Sequence, residues 1–292
     1  MVQQKRPPFS YYGGKQVMTK FILPNIPKHT TYVEPFVGGA AIFWLKKQSK
    51  VELLNDTNKE IINFYQVLKN DFEALYQKII ASLYSRDLHR QAWTIYSNSD
   101  MFTNIERAWG FWILSVQGFG GMITNSRGRD KTQNKAIKTF NNRKKQFSLE
   151  YAIRLQNVEL ESRDAIKLIQ GTDYKDAFFY CDPPYYNADM GHYDGYTIED
   201  FELLLTTISN IKGKFMLSSY PSKILDKFIV KNGWDSFEIE MNVPISNKGK
   251  RKIEVITANY ELKKPTNSYL IATSKKTTSG FKEYSRFLYF LF

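Results

Sequence analysis

An acid followed by two prolines and an aromatic ring is the strongest chemical signal in the sequence. Asp182, Pro183, Pro184 and Tyr185 follow the apolar run 178–181, which suits a strand buried on both faces of a parallel sheet. The prolines lack the N–H that a strand ladder requires, so the strand must end at Asp182. Its carboxylate then lies at the carboxyl edge of the sheet, where ligands bind in open α/β sheets. We therefore interpret Asp182 as a binding or catalytic acid.

Three further acids close predicted strands. Glu34, Asp56 and Asp164 each follow a short apolar segment that is typical of a strand. The carboxyl ends of parallel strands meet at one edge of a sheet, so we expect these acids and Asp182 to line a common edge. The sequence therefore predicts an α/β sheet with an acidic binding edge.

A glycine loop between the first two of these strands indicates a cofactor that contains a ribose. Residues 35–39 form a tight loop before a predicted helix, and Asp56 follows about 20 residues later, the offset at which an acid binds ribose hydroxyls. Ala40 occupies the place of a third glycine, so the loop lacks a G-x-G-x-x-G pattern, and Glu34 would repel phosphates. We therefore expect a cofactor with a ribose and a small charged end rather than a dinucleotide.

The middle of the chain predicts an inserted helical subdomain. Residues 59–157 have helical periodicity without strand runs, and the glycine-rich residues 118–131 near its end suggest a hairpin or an irregular loop. Residues 121–150 hold eight basic and two acidic side chains, an excess that is half of the net charge of +12. A solvated loop is the simpler interpretation, but this charge beside Asn, Thr and Gln favours contact with DNA or RNA. A second basic turn lies at 246–252, and its charge is equally consistent with binding phosphates and with a solvent-exposed surface that favours solubility.

Composition excludes several classes of protein. The 292 residues include one cysteine, Cys181, so no disulfide forms within the chain, and the three histidines show no zinc-ligand spacing. The N-terminal residues lack the apolar core of a signal peptide, and no run of 18 apolar residues predicts a membrane span. We expect a metal-free, cytoplasmic monomer. Cys181 precedes Asp182 in a strand and should point away from it, which argues against a cysteine nucleophile.

Together the motifs resemble those of the Dam-type, D12 class adenine-N6 DNA methyltransferases. Four of them agree in order and spacing with that family's cofactor, glycine-loop, ribose and catalytic motifs: F-S-Y-Y-G-G-K at 9–15, E-P-F-V-G-G at 34–39, L-N-D-T-N at 54–58 and C-D-P-P-Y at 181–185. Residues 118–129 are similar to its recognition hairpin, and residues 250–260 resemble a segment near its C-terminus. The resemblance covers most of the chain.

The resemblance implies a Rossmann-like methyltransferase sheet with helices on both faces, S-adenosyl-L-methionine as cofactor and double-stranded DNA as substrate. Residues 1–58 and 158–292 would form the catalytic domain. Residues 59–157 would form the inserted, mainly helical target-recognition subdomain, with a hairpin or loop near 118–131. A cognate restriction endonuclease is a candidate partner.

Site roles carry over where residues match the family motifs. Asp56 would bind the ribose, Glu34 would lie near the cofactor's amino group, Asp164 near its adenine, and Asp182 near its methionine end and the target amine. The implied cofactor-binding residues are Tyr11, Lys15, Glu34, Phe36, Gly38, Asp56, Asp164 and Asp182. The implied catalytic residues are Asp182, Pro183, Pro184 and Tyr185, and the implied DNA-binding residues are Asn125, Arg127, Arg129, Lys131, Lys248, Lys250 and Arg251.

The expected reaction is a direct transfer without a covalent enzyme intermediate. Adenine N6 is a poor nucleophile because its lone pair is delocalised into the ring. Asp182 and the Pro183 carbonyl would accept its two hydrogens and favour in-line attack on the cofactor methyl group, with positioning supplying most of the acceleration. The base must flip out of the duplex at a cost of a few kcal/mol, partly offset by stacking on Tyr185 and Tyr186.

Two other functions fit parts of the sequence. Related sites with an acid or amide, two prolines and an aromatic residue methylate RNA or protein amides, and a non-catalytic DNA-binding relative would keep the fold. Asp182 and the basic insert favour DNA, whereas the intact Lys15, Asp56 and Asp182 favour turnover. Ala40 and residues 218–220 depart from the family pattern. The hairpin side chains differ from those of GATC-reading members, so no recognition sequence is transferred.

Overall fold

The computed structural model describes residues 6–11, 13–119, 122–123, 127–128, 132–186, 195–242 and 251–265, without the side chains of 241–242 and 251–252. Within these ranges no helix combines the length and apolarity needed to cross a membrane. The helices are α1 Thr19–Ile22, α2 Ala41–Leu45, α3 Lys59–Asn70, α4 Phe72–Ala81, α5 Arg86–Ser97, α6 Asn104–Gln117, α7 Lys135–Gln146, α8 Glu150–Leu155, α9 Ala165–Thr172, α10 Ile198–Ser209 and α11 Lys223–Asn232. Short 3₁₀ turns cover Leu23–Asn25 and Ser99–Met101.

In the described part of the chain, seven strands form one sheet. They are β1 Thr31–Glu34, β2 Val51–Asn55, β3 Val158–Glu161, β4 Ala177–Cys181, β5 Lys214–Ser219, β6 Asp235–Asn242 and β7 Arg251–Ala258. Their order across the sheet is β3-β2-β1-β4-β5-β7-β6. The first five strands in that order are parallel, and β7 is antiparallel to both β5 and β6. This mostly parallel sheet confirms the predicted Rossmann-like α/β fold.

Strand β4 lies between β1 and β5 in the sheet, as its apolar run predicts. All five of its residues are buried, and their side chains alternate between the two faces. Phe178 and Tyr180 belong to the core on one face, whereas Phe179 and Cys181 belong to the core on the other. Burial raises the pKa of the Cys181 thiol. Cys181 therefore lies in a core as an inert thiol, in line with the argument against a cysteine nucleophile.

The two faces carry different sets of helices. Residues of α9, α10 and α11 pack in one core, whereas residues of α2, α3 and α6 pack in the other. The second core also contains Phe9 from the N-terminal segment and Tyr32 from β1, so it runs without interruption from the sheet into the helices of 59–157. This core contains residues from both sides of the predicted boundaries at 58/59 and 157/158. The division into two domains therefore stays a prediction.

A buried asparagine ties together the loops at the carboxyl edge. Asn55, the last residue of β2, is fully buried and donates from Nδ2 to the carbonyls of Pro35 at 2.9 Å and Arg163 at 3.0 Å. Its Oδ1 accepts from the backbone N–H of Arg163 at 3.0 Å. The loops that follow β1 and β3 are thus anchored to the end of β2.

Candidate active site

A cavity of about 520 Å³ lies at the carboxyl ends of β1, β2 and β4, and its volume is in the range of ligand-binding sites. The residues predicted from separate motifs meet there: Tyr11, Lys15, Glu34, Phe36, Gly38, Asp56, Asp182, Pro183, Pro184 and Tyr185 all line the cavity. The sheet topology brings them together because β1, β2 and β4 are adjacent and parallel. The cavity is therefore the candidate active site.

Two side chains hold one oxygen of Asp182. Its Oδ1 receives the Lys15 ammonium at 2.8 Å and the Tyr185 hydroxyl at 3.2 Å. The Asp182 side chain is 21% exposed, and its Oδ2 has no hydrogen-bond partner among the described residues. Burial raises the pKa of Asp182, and the Lys15 charge opposes that rise. The carboxylate is thus oriented, with one oxygen available to a ligand.

Lys15 is a buried cation that the glycine turn delivers to the site. The residue is 5% exposed, and its Nζ donates to the Gly13 carbonyl at 3.2 Å. Nζ also lies 3.8 Å from Glu254 Oε2 and 4.9 Å from the centre of the Tyr185 ring. Gly13 has a φ of +74°, a conformation that favours glycine. The turn is a weak sequence signal by itself, yet it places a cation against the acid that follows β4.

The glycine loop after β1 packs against Tyr11 and is fixed by Asp56. Gly38 has a φ of +43°, and a Cβ there would lie 2.9 Å from the Tyr11 ring, so only glycine lets the ring pack on the loop. Asp56 accepts the backbone N–H of Gly38 on Oδ2 and that of Asn58 on Oδ1, both at 2.9 Å. The Tyr65 hydroxyl donates to the Gly38 carbonyl at 3.0 Å. Burial raises the pKa of Asp56, and the two backbone hydrogen bonds oppose that rise.

Ala40 completes the loop in a conformation that glycine adopts more readily. Its φ of +53° and ψ of +38° are left-handed, and its N–H donates to the Val37 carbonyl at 2.7 Å. A left-handed backbone conformation costs more free energy for alanine than for glycine. The missing third glycine therefore does not prevent the chain from turning into α2.

Glu34 is an acid buried at the end of β1, with an exposed fraction of 2%. Its Oε1 accepts hydrogen bonds from the Tyr32 hydroxyl and, at 2.9 Å, from the backbone N–H of Phe43 in α2. Burial raises the pKa of Glu34 to about 8, and the nearby Asp182 charge adds to that rise. A cationic ligand beside Glu34 would favour its ionised form.

Several aromatic residues of the cavity were not predicted as site residues. Tyr220, directly after β5, lies with its ring centre 4.3 Å from that of Tyr185 at an interplanar angle of 57°. Tyr180, in β4, shares a 3.1 Å hydrogen bond with Ser218. Tyr196 meets Phe36 edge to face at 6.5 Å. The rule that strand ends carry site residues would have found Tyr220, since β5 is parallel to β4 and ends beside it.

Asp164 is the one predicted cofactor residue that does not line the cavity. It follows β3, the edge strand, and is exposed to solvent. Its Oδ1 accepts the backbone N–H of Lys167 at 2.9 Å, which makes it the N-cap of α9. The capping role accounts for an acid at this strand end, so the expectation that it contacts the cofactor adenine finds no support in the cavity.

Among the predicted DNA-binding residues, Arg127 is described in full. It forms an antiparallel bridge with Gly118, and its guanidinium lies 4.8 Å from the centre of the Tyr84 ring. The Tyr84 hydroxyl donates to the Gly128 carbonyl. Asn125, Arg129, Lys131, Lys248 and Lys250 lie outside the described residues, and Arg251 is described only as the first backbone position of β7.

A protein family model and several known proteins match this chain. The family model described as D12 class N6 adenine-specific DNA methyltransferase matches residues 11–245. The Type II methyltransferase M1.LlaDCHI of Lactococcus lactis subsp. cremoris is 26% identical over 282 residues, covering 87% of this chain and 95% of that protein. The DNA adenine methylase of Haemophilus influenzae is 25% identical over 264 residues, covering 86% and 91%. A DNA N-6-adenine-methyltransferase of Escherichia phage P1 is 28% identical over 186 residues, covering 61% of this chain but 24% of that protein.

The matched region runs from Tyr11 past Asp182 and so contains the cavity residues of every strand end described above. It also contains the helices of 59–157 and the basic segment that follows α6. The chain therefore belongs to the D12 class of N6 adenine-specific DNA methyltransferases and is a DNA adenine methyltransferase.

Proposed function

We propose that the chain takes the methyl group from S-adenosylmethionine and that Asp182 holds the N6 amine of an adenine that has left the duplex. The observation that carries the proposal is the Asp182 carboxylate. Lys15 and Tyr185 bind its Oδ1, whereas its Oδ2 has no partner among the described residues. This arrangement suits an acceptor for an amine hydrogen.

The cavity residues fit this cofactor, which supplies a methyl group on a sulfonium ion. Asp56 is a carboxylate at the glycine loop, where it can accept hydrogen bonds from ribose hydroxyls. Phe36 adds an aromatic surface to the lining, and Glu34 places an acid where a cationic amino or sulfonium group can pair with it. Binding of that cation should lower the pKa of Glu34 and release a proton.

The contribution of the protein to the reaction is orientation. One N6 hydrogen would donate to Asp182 Oδ2 and the other to the Pro183 carbonyl, whose position the two prolines restrict. These two acceptors favour a pyramidal nitrogen with its lone pair free to attack. The proton that N6 loses on methylation would pass to Asp182 and then to water.

Access to the amine requires the adenine to leave the base stack. The rings of Tyr185 and Tyr220 form an aromatic corner beside Asp182, against which a flipped base can stack. Stacking there would offset part of the few kcal/mol that unpairing costs. Arg127, held on Tyr84, supports the proposal that residues 118–131 contact the DNA, together with the basic turn 246–252. Because one relative is named a Type II methyltransferase, a cognate restriction endonuclease remains a candidate partner.

The test is transfer of labelled methyl from S-adenosylmethionine to duplex DNA, followed by mass spectrometry of the nucleosides. Wild-type protein should produce N6-methyladenine. Asp182→Ala should lower turnover on the order of a thousandfold while DNA binding persists. Cys181→Ala is the matched control. Cys181 precedes Asp182 in the chain but is buried with Phe179 in the core on the other face of the sheet from Tyr180, so this variant should retain activity. Equal labelling of RNA, labelling of protein, or an active Asp182→Ala variant would contradict the proposal.

A further inference from the structure

Glu254 is a buried carboxylate beside the active site for which the reaction just described has no use. It lies in β7 and is 1% exposed. Its neighbours on that strand, Ile256 and Ala258, belong to the same core as Tyr180 of β4. Because strand side chains alternate, Glu254 points to the face of the sheet on which Lys15 lies. Its Oε2 is 3.8 Å from Lys15 Nζ.

Lys15 thus has two carboxylates as neighbours. Its Nζ is 2.8 Å from Asp182 Oδ1 and 3.8 Å from Glu254 Oε2, and all three groups are largely removed from water. Both carboxylates lie close enough to attract the same ammonium. Buried charges interact strongly because the surroundings screen them little. If the interaction of Lys15 with one carboxylate becomes weaker, its interaction with the other carboxylate therefore becomes stronger.

We propose that Glu254 is a positioning residue for methyl transfer, which shares Lys15 with Asp182 and receives the ammonium when the target amine donates to Asp182. The proposal rests on the role given to Asp182 under Proposed function. Lys15 would need to move by only about 1 Å to bring Glu254 into hydrogen-bond range. Without Glu254, the ammonium would remain fully committed to Asp182 and make it a weaker acceptor for N6.

A structural role makes a different prediction. If Glu254 served only to anchor the turn that carries Lys15, its removal would lower stability and the affinity for the cofactor. The dependence of kcat on pH would stay unchanged. Six charged or titratable groups of the described residues interact with Asp182: Lys15 from the turn, Glu254 from β7, Tyr185 from the loop, Tyr180 and Cys181 from β4, and Glu34 from β1. Of these carboxylates, Glu254 is the one that also contacts Lys15.

The experiment compares Glu254→Gln with wild type in kcat, KM for S-adenosylmethionine and the pH profile of kcat on duplex DNA. Loss of a negative charge next to Asp182 should move the acid limb of the profile down by about one pH unit. The value of kcat should fall by roughly ten- to a hundredfold, because the amine is held less well, with little change in KM. Thr257→Val, a buried neutral position of the same strand, is the control and should keep the wild-type profile.

A folded Glu254→Gln protein with the wild-type kcat and acid limb would overturn the inference. If that variant does not fold, Glu254→Asp keeps the charge but withdraws it by one carbon, so its acid limb should stay near that of wild type while kcat falls. A wild-type kcat in Glu254→Asp would overturn the inference as well. Failure of the proposed function is a separate result, since wild-type protein would then form no N6-methyladenine.

Discussion

Glu34 is a carboxyl group whose pKa is raised chiefly by burial. Its pKa of about 8 means that the folded protein keeps a proton on this carboxyl group at neutral pH. The unfolded chain loses that proton near the ordinary value of 4.5. Between these two values the folded state binds more protons than the unfolded state, so the contribution of Glu34 to stability decreases as the pH rises.

We predict that Glu34→Gln removes this pH dependence. The difference in the free energy of unfolding between wild type and Glu34→Gln should fall by up to about 1.4 kcal/mol per pH unit between pH 5 and pH 7. Urea unfolding at several pH values measures this difference. Glu202→Gln, at an exposed position of α10, is the control, and its free energy of unfolding should depend on pH in the same way as that of wild type. Parallel curves for Glu34→Gln would contradict the raised pKa.

Sequence patterns predict the residues of the site better than their contacts. Asp182 and Asp56 are predictable because apolar runs, prolines and glycines mark strand ends locally. The contact between Lys15 and Asp182 is not, since it depends on how a turn near the N-terminus packs against β4. Asp164 looks the same as Asp56 in sequence, yet it caps a helix at the edge of the sheet. What differs is that β2 lies inside the sheet whereas β3 lies at its edge, and long-range pairing sets that order.

Helix α7 connects the predicted recognition segment to the body of the protein. Phe140 of α7 is 1% exposed and packs against Tyr84 and Trp112, each at a ring-centre distance of 5.6 Å. Tyr84 also carries the Arg127 guanidinium. The helix therefore has a fixed position next to the residues proposed to contact DNA.

The basic residues of α7 divide between its two sides. Arg143 donates to the Pro7 carbonyl at 2.9 Å and Lys144 to the Ser82 carbonyl at 2.7 Å, so both tether the helix. Lys138 and Lys145 are exposed and seven residues apart, which places them on one face of the helix. The helix contains no acid. Its exposed face is thus a cationic surface that suits the phosphates of DNA.

We predict that Lys138→Gln combined with Lys145→Gln weakens binding to duplex DNA in a salt-dependent way. Each lost phosphate contact should make the slope of log K against log salt concentration shallower by about 0.9. Fluorescence anisotropy of a labelled duplex at several salt concentrations measures the slope. Lys227→Gln combined with Lys231→Gln, at exposed positions of α11 on the opposite face of the sheet, is the matched control. An unchanged slope in the α7 variant, or an equal change in the control, would place the phosphate contacts elsewhere.

The elements themselves follow the sequence where their signals are local. The alternating residues 234–243, the basic turn and the strand-like residues 253–260 predict a hairpin, and β6 and β7 pair along their full length. The insertion of β7 between β5 and β6 has no such signal, although it brings Glu254 to Lys15. Helix α11 and strand β6 lie between β5 and β7 in the chain. Neither the local periodicity nor the turn residues therefore predict that β5 and β7 pair.

One hydrophobic core joins the sheet to the helices of 59–157. Phe9 lies at the junction: it is fully buried, and its ring centre lies 4.9 Å from that of Phe64 in α3 and 5.0 Å from that of Phe111 in α6. It also packs near Tyr11, which lies on the glycine loop of the active site. Such a core favours a single cooperative unfolding transition over separate unfolding of an insert.

We predict that Phe9→Ala destabilises the sheet and the helices of 59–157 together. The loss of a buried ring should lower the free energy of unfolding by about 3–5 kcal/mol. Tryptophan fluorescence reports both regions, because Trp109 and Trp112 lie in α6 whereas Trp234 packs in the core on the opposite face. Single-tryptophan variants should therefore unfold at the same urea concentration, and Phe9→Ala should shift all of them equally. Val230→Ala, at a solvent-exposed position of α11, is the control and should change stability little. A separate transition of Trp109 or Trp112 that Phe9→Ala leaves in place would mean that residues 59–157 fold independently of the sheet.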